Sequence, residues 1–247
     1  MPRDWDAATY DRIADPMFRW GAVVLGWLDL QGNERVLDAG CGSGRVTELL
    51  LDRLPGGVAV ALDGSPSMIE EARRRLARFG DRVEYVIADL LLPLPVSPPV
   101  DAVLSTATFH WVPDHDALFR NLAGVLRPGG RLAAQCGGAG NLVSVERALR
   151  DLGHDPFASK VFATPAQTRE RLERAGFTDV EVWLHEEPTR IESGEPLETY
   201  LSTVVLGALL DTMPAADRAP LVHEVAERMP EPVLDYVRLN IRASRSG

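Results

Sequence analysis

The 247-residue chain is 45% hydrophobic and 25% charged, which excludes a disordered polymer and supplies apolar material for a large core. Its 36 Asp and Glu outnumber its 26 Lys and Arg, and the net charge of −10 argues against nucleic acid as the main partner. Two cysteines, Cys41 and Cys136, make neither a disulfide framework nor a zinc site, and the chain shows neither a signal-peptide pattern nor the roughly 18–20 apolar residues of a membrane span. The expectation is a cytoplasmic globular protein that does not engage a membrane.

In chain order, the first 30 residues read as helical, with Trp20, Val23, Val24, Trp27 and Leu28 turned inward. From residue 34 to about 136, short β-branched runs alternate with helix-period segments. Val36-Leu37, Val58–Leu62, Val83–Ile87, Val100–Leu104 and Leu132–Gln135 are the strands, continuously apolar as parallel strands covered on both faces must be. Ser65 caps a helix whose first turn holds Pro66 and whose buried stripe is Met68, Ile69, Ala72, Leu76 and Phe79. Arg73, Arg74, Arg75 and Arg78 form the wet face of that helix. A further helix opens near Asp114, carries Leu118, Leu122, Val125 and Leu126, and stops at Pro128-Gly129-Gly130. Beyond residue 140, residues 165–175 read as a helix and Val180–Leu184 as a strand. Leu197, Tyr200, Leu201, Val204, Val205 and Leu209 mark a helical insertion, Leu221, Val222, Val225 and Met229 a second short helix, and Leu234–Ile241 a last strand. This order predicts an α/β, Rossmann-like, doubly wound and mostly parallel seven-stranded sheet in one domain spanning residues 1–247. Residues 1–33 form an N-terminal helical segment, 34–137 a ligand-binding core, and 190–232 a helical insertion able to act as a lid.

The segment Asp38-Ala39-Gly40-Cys41-Gly42-Ser43-Gly44 carries the most information. A strand runs through three alternating glycines into a helix, which leaves backbone N–H groups at a helix N-terminus and lets a ligand approach closely. Asp63 ends the second strand, where a carboxylate can take both hydroxyls of a ribose. Asp89 follows the third strand, where an adenine amino group can be read while Leu90 packs the ring. A dinucleotide fingerprint would need its third glycine at Arg45, and a Walker loop needs Gly-Lys-Ser/Thr, so a nucleoside of another kind is indicated.

The Asp38-x-Gly40-x-Gly42-x-Gly44 run resembles the first motif of class I S-adenosylmethionine-dependent methyltransferases. The resemblance continues through Asp63–Met68, Ala88-Asp89-Leu90, Ser105–Val112 and Leu126–Leu132, covering about residues 34–137. Phe109-His110-Trp111, Gln135 and Trp5…Tyr10 are similar to the trans-aconitate methyltransferase-like group. The resemblance implies S-adenosylmethionine as the cofactor and S-adenosylhomocysteine as its product; His115, His154, His185 and His223 are scattered without ligand spacing, so no metal is expected. Gly40, Cys41, Gly42 and Gly44 would lie against its methionine end and ribose, and Asp38 would reach its amino group. Asp63 with Gly64 would hold the ribose, and Met68, Ala88, Asp89 and Leu90 the adenine. Thr106 would line the sulfonium region, and Tyr10 and Trp20 would close over the ligand.

His110 and Trp111 are the catalytic candidates. A carboxylate acceptor is already ionised at neutral pH and needs no base, whereas a hydroxyl or carbon acceptor does. His110 is therefore either that base, a wall residue donating one hydrogen bond, or a ring packed beside Trp111. An anionic acceptor would also require a guanidinium or ammonium in the pocket, for which Arg19, Arg190 and Arg238 are the candidates. The expected activity is small-molecule methylation, first of a carboxylate, with hydroxyl, nitrogen or carbon acceptors and a non-catalytic cofactor-binding regulator as alternatives. Either a monomer or a homodimer is compatible.

Overall fold

The computed structural model of the protein describes residues 15–155, 157 and 160–247, so Tyr10 lies outside the described residues. The seven-stranded sheet has the order β3-β2-β1-β4-β5-β9-β6. Its first five strands are β1 (Arg35–Ala39), β2 (Val58–Asp63), β3 (Val83–Ile87), β4 (Val100–Thr106) and β5 (Leu126–Gly137), all parallel to their neighbours within that set. Parallel strands must be bridged by crossovers, and the helices that bridge them cover both faces. On one face pack Val46 and Leu50 of α2 (Arg45–Asp52) with Ile69, Ala72 and Leu76 of α3 (Pro66–Leu76). The opposite face is covered by Leu118, Phe119 and Leu122 of α4 (His115–Val125) and Leu172 of α6 (Pro165–Arg174). The Ser65 hydroxyl accepts from the Met68 N–H and Asp114 from the Ala117 N–H, so both expected caps form.

β6 (Phe177–Glu186) and β9 (Val237–Arg245) complete the sheet, and β9 runs antiparallel to both β5 and β6. The reversal brings the beginning of β9 to the edge where the parallel strands end: Arg238 faces Gly137, and Asn240 faces Gln135. The expected strand over 234–241 is thus two pieces. β8 (Val233–Leu234) pairs with β7 (Thr189–Arg190) in a separate ribbon, and the break falls at Asp235, whose carboxylate caps α5 (Val143–Asp151) through the Ser144 N–H and hydroxyl at 2.9 and 2.6 Å.

The expected continuous helix through Leu197–Leu209 is also divided. Helix α7 (Glu195–Tyr200) passes into a π-helical turn, Leu201–Val205, and then into α8 (Gly207–Leu210). Together with α9 (Ala215–Arg228) these pack on α5, Trp20 and Tyr236 as a third apolar cluster. Helix α1 (Asp15–Leu25) lies across β4 and β5. Of its expected inward residues Trp20 and Val24 are buried, but Val23 is 56% exposed, because the helix presents one stripe to the sheet and Val23 falls outside it. No helix among the described residues is long and apolar enough to cross a membrane.

Candidate active site

The ends of β3, β2, β1 and β4 are adjacent in the sheet, so Asp89 just beyond β3, Asp63 at the end of β2 and Asp38 near the end of β1 lie along one edge, where such sheets form a crevice. The glycine turn is pinned there by Gly40 and Cys41, whose N–H groups both donate to the Leu62 carbonyl, at 2.7 and 2.9 Å. Gly40 and Gly42 serve different ends. A Cβ on Gly40 would meet Thr108 Oγ1 at 2.2 Å, so its smallness is demanded by the chain's own packing. One on Gly42 would meet nothing within 4 Å, so that position faces open space. Both have positive φ, +82° and +54°, which glycine alone adopts without penalty. Gly44 packs on Leu76 and Ala72 of α3, and Cys41 is a small buried residue whose thiol burial pushes well above its ordinary pKa.

Asp38 is 1% exposed. The Thr47 hydroxyl donates to its Oδ2 at 2.7 Å, while Oδ1 is buried without a hydrogen-bond partner among the described residues. Burial, with the nearby charge of Asp63 adding to it, raises its pKa to about 7 against the opposing Thr47 bond. A half-satisfied buried carboxylate is costly unless a cation completes it. Asp63 has a structural task that its sequence position did not reveal: its carboxylate accepts from the Gly42 N–H and the Ser65 N–H, both at 2.9 Å, tying the glycine turn to the start of α3. Gly64 and the buried Met68 follow on that start. Ala88 donates to the Asp63 carbonyl at 3.1 Å. Asp89 turns the chain by accepting from the Leu91 N–H at 2.9 Å, and Leu90 is buried.

A second chamber adjoins this crevice. Ala107, His110, Trp111, Asn141, Lys160, Phe162, Val204, Val205, Tyr236 and Arg238 line it with Leu142. Thr108 links the two, its hydroxyl lying 3.2 Å from the Gly40 carbonyl and 3.0 Å from that of Thr106 at the end of β4. His110 and Trp111 belong to a 3-10 turn, Phe109–Trp111, held by the buried His115, whose Nε2–H donates to the Phe109 carbonyl at 2.9 Å. The His110 Nδ1 accepts from the Gly137 N–H at 3.3 Å. Burial first, then Lys160 and Arg238, hold its pKa well below the ordinary histidine value, so the ring is neutral with its proton on Nε2.

Arg238 is 3% exposed and lies with its guanidinium carbon 4.5 Å from the Trp20 ring centre, so Trp20 supports this second chamber, where it also meets Tyr236 edge-on. The two other candidate arginines are elsewhere: Arg19 is exposed, and Arg190 is exposed and paired with Glu231 at 2.5 Å. Lys160, which sequence reasoning missed, has its Nζ 4.4 Å from the Trp111 ring centre and donates to the Val205 carbonyl at 3.1 Å. One signal could have found it: all other basic residues in the chain are arginines, and Lys160 is its only lysine. Asn141 and Tyr236 carried no such signal.

The methyltransferase domain family matches residues 36–130. The chain is 40% identical over 183 residues to a trans-aconitate 2-methyltransferase of Methylobacterium nodulans, covering 73% of this chain and 67% of that one. It is 32% identical over 244 residues to the protein of the same description from Rhodococcus jostii, covering 92% and 93%. Several further proteins so described match over about half of their own length. Among solved structures, a phosphoethanolamine N-methyltransferase 2 of Haemonchus contortus, in complex with S-adenosyl-L-methionine, superposes with a TM-score of 0.65 at 21% identity, covering 97% of this chain and 56% of that one. At that identity the likeness speaks for the fold.

Proposed function

The chain belongs to the class I S-adenosylmethionine-dependent methyltransferases, in the group of the trans-aconitate 2-methyltransferases, and we propose that its acceptor is a carboxylate oxygen of a small polycarboxylic acid such as trans-aconitate. The observation that carries this reading is the charge of the second chamber. Lys160 and Arg238 both line it, and no carboxylate is among its described lining residues. A pocket so charged favours anions and disfavours amines.

The residues of the first crevice fit the cofactor. Asp38 Oδ1, buried and without a partner, is complemented by an ammonium group in both charge and hydrogen-bond polarity. The open side of Gly42 admits a ligand against the backbone. Each carboxylate oxygen of Asp63 has two acceptor sites, so tying the glycine turn and receiving ribose hydroxyls are compatible tasks. Met68 and Leu90 supply apolar surface for adenine, with Asp89 at its edge. When bound, S-adenosylmethionine supplies an electrophilic methyl carbon whose departure leaves a neutral thioether.

This chain therefore has to hold and orient the nucleophile and exclude water. Lys160 and Arg238 bind carboxylates of the acceptor, Arg238 with the planar fork that matches a carboxylate. The neutral His110 donates a hydrogen bond from Nε2 to an acceptor oxygen. With Nδ1 already engaged by Gly137, it has no site ready to take a proton, and a carboxylate asks for none. Trp111, Phe162, Leu142, Val204 and Val205 form the apolar remainder of the wall and keep water from the reacting line.

The test is a panel of acceptors with labelled donor: trans-aconitate, its cis isomer, other tri- and dicarboxylates, a phenol and an amine. Methyl-ester formation from a polycarboxylate is the expected result. Turnover of the phenol or the amine alone would overturn the reading.

A further inference from the structure

Arg238 is the inner end of a chain of hydrogen bonds running sideways through the sheet to the surface. Its Nε–H donates to Gln135 Oε1 at 3.3 Å. The other end of that amide, Gln135 Nε2, donates to Asn240 Oδ1 at 2.7 Å. Asn240 Nδ2 then lies 2.9 Å from Nδ1 of His185, and His185 Nε2 lies 3.0 Å from the carboxylate of Glu187. Gln135 and Asn240 are buried, Asn240 wholly, whereas His185 and Glu187 sit on and just beyond edge strand β6, with side chains about two-fifths exposed.

The direction of every bond is dictated from the cation. An arginine Nε–H can only donate, so Gln135 must offer its oxygen to Arg238 and its NH2 to Asn240. Asn240 must then accept with its oxygen, and its own NH2 is left for His185 Nδ1 together with the more distant carbonyls of Trp183 and Arg238. His185 is thereby set as the Nε2–H tautomer, and Glu187 takes that proton's hydrogen bond. Turning either amide over would press N–H against N–H or oxygen against oxygen in a dry layer, where such a fault is costly. A carboxylate-binding chamber needs its guanidinium plane held to a fraction of an ångström, and the bond from Nε–H to Gln135 restrains rotation of that plane about Cδ–Nε.

We propose that Gln135, Asn240 and His185 are positioning residues that act through Arg238, locking its guanidinium plane for the acceptor carboxylate. Gln135 serves the same chamber a second time, because its backbone carbonyl accepts from the Ala107 N–H at 2.7 Å, next to the turn that bears His110. The proposal rests on the carboxylate reading above for its purpose, and on geometry alone for the lock.

His185 gives the cleanest variant, since it sits half-buried on the edge strand and its replacement leaves the core intact. The first readout uses no acceptor. In the nitrogen–proton NMR spectrum, the Arg238 Nε–H, identified by its loss in Arg238→Gln, is expected as a slowly exchanging resonance. It should shift and exchange faster in His185→Leu and Gln135→Met, and return in His185→Gln, whose amide oxygen can again accept from Asn240. A resonance unchanged in His185→Leu, or lost equally in His185→Gln, would overturn the lock. The second readout is kinetic, with trans-aconitate: His185→Leu should raise the acceptor KM roughly five- to tenfold with little change in kcat or in cofactor affinity. If the resonance responds as expected while Arg238→Gln leaves acceptor KM unchanged, the carboxylate reading fails and the lock stands. If Arg238→Gln raises KM and His185→Leu does not, the positioning role fails by itself.

Discussion

The Gly137 N–H donates to Nδ1 of His110, and that bond decides which chemistry the imidazole can perform. A neutral ring whose one lone-pair nitrogen is already engaged is a donor at Nε2. His110→Gln keeps a donor in place and should lower kcat/KM for a carboxylate acceptor by less than about tenfold, equally at every pH, whereas loss of a general base costs ~100-fold or more. A pH–rate series from acid to mildly alkaline conditions distinguishes the two. The same ring makes the fold acid-sensitive. Its pKa is held below 6.5, chiefly by burial, so as pH falls below 6.5 the unfolded chain takes up a proton that the native chain refuses. Stability from this group is present above 6.5 and is lost on acidification, and His110→Gln should flatten that part of the denaturation profile.

Asp38 has the opposite sign. Its pKa in the native state is raised to about 7 from an ordinary 3.8, so between these values the native chain holds a proton that the unfolded chain has released. For this group the ligand-free protein loses stability as pH rises from 3.8 to about 7. An ammonium group beside Oδ1 needs the ionised form, so cofactor binding at pH 6 should expel a proton and affinity should climb as pH approaches neutrality. Calorimetry in two buffers of different ionisation enthalpy measures that proton. Asp38→Asn should melt higher than the parent at pH 8 without ligand, release no proton, and bind the cofactor weaker by about 1.5–3 kcal/mol, the scale of a hydrogen bond to a charged group.

The parallel half of the fold is legible in the sequence because each of its signals is local: apolar runs for strands, Ser65 and Asp114 for caps, and glycines at alternating positions for the turn. The acids Asp38, Asp63 and Asp89 are legible for the same reason, since strand ends fix their edge of the sheet. What no local pattern encodes is the meeting of His110, Lys160 and Arg238. It depends on the reversed direction of β9, on a loop that places Lys160 against the π-helical turn, and on Trp20 lying over Arg238. Alternation in residues 234–241 shows a strand but neither its direction nor its break at Asp235.

Asp63 links sequence and structure in a way that changes what its removal should do. The carboxylate secures two backbone N–H groups of the ligand-free protein, so Asp63→Ala removes their partner as well as the one proposed for the ribose. Cofactor affinity should fall by about 1–3 kcal/mol and the ligand-free protein should also lose roughly 1–2 kcal/mol of stability. Titration calorimetry and thermal melts of the same preparations test both. Affinity lost without stability would mean that the glycine turn holds its shape without Asp63.

Lys160 offers a test that few proteins allow, because it is the only lysine in the chain. An amine-directed acylating reagent has just two targets, its Nζ and the chain's α-amino group, which peptide mass mapping separates. Its ammonium lines the proposed acceptor chamber between the Val205 carbonyl and the Trp111 ring, so saturating trans-aconitate should slow acylation of Nζ and leave the α-amino group unaffected. Acylation removes the charge, and the product should show an acceptor KM raised by about tenfold or more with cofactor affinity intact, as should Lys160→Met. Lys160→Arg keeps the charge but spreads it over a plane too broad for the same seat, so it should recover only part of the loss. If Nζ is acylated at the same rate with and without the polycarboxylate, Lys160 does not touch the acceptor, and Arg238 alone would have to supply the proposed anion selectivity.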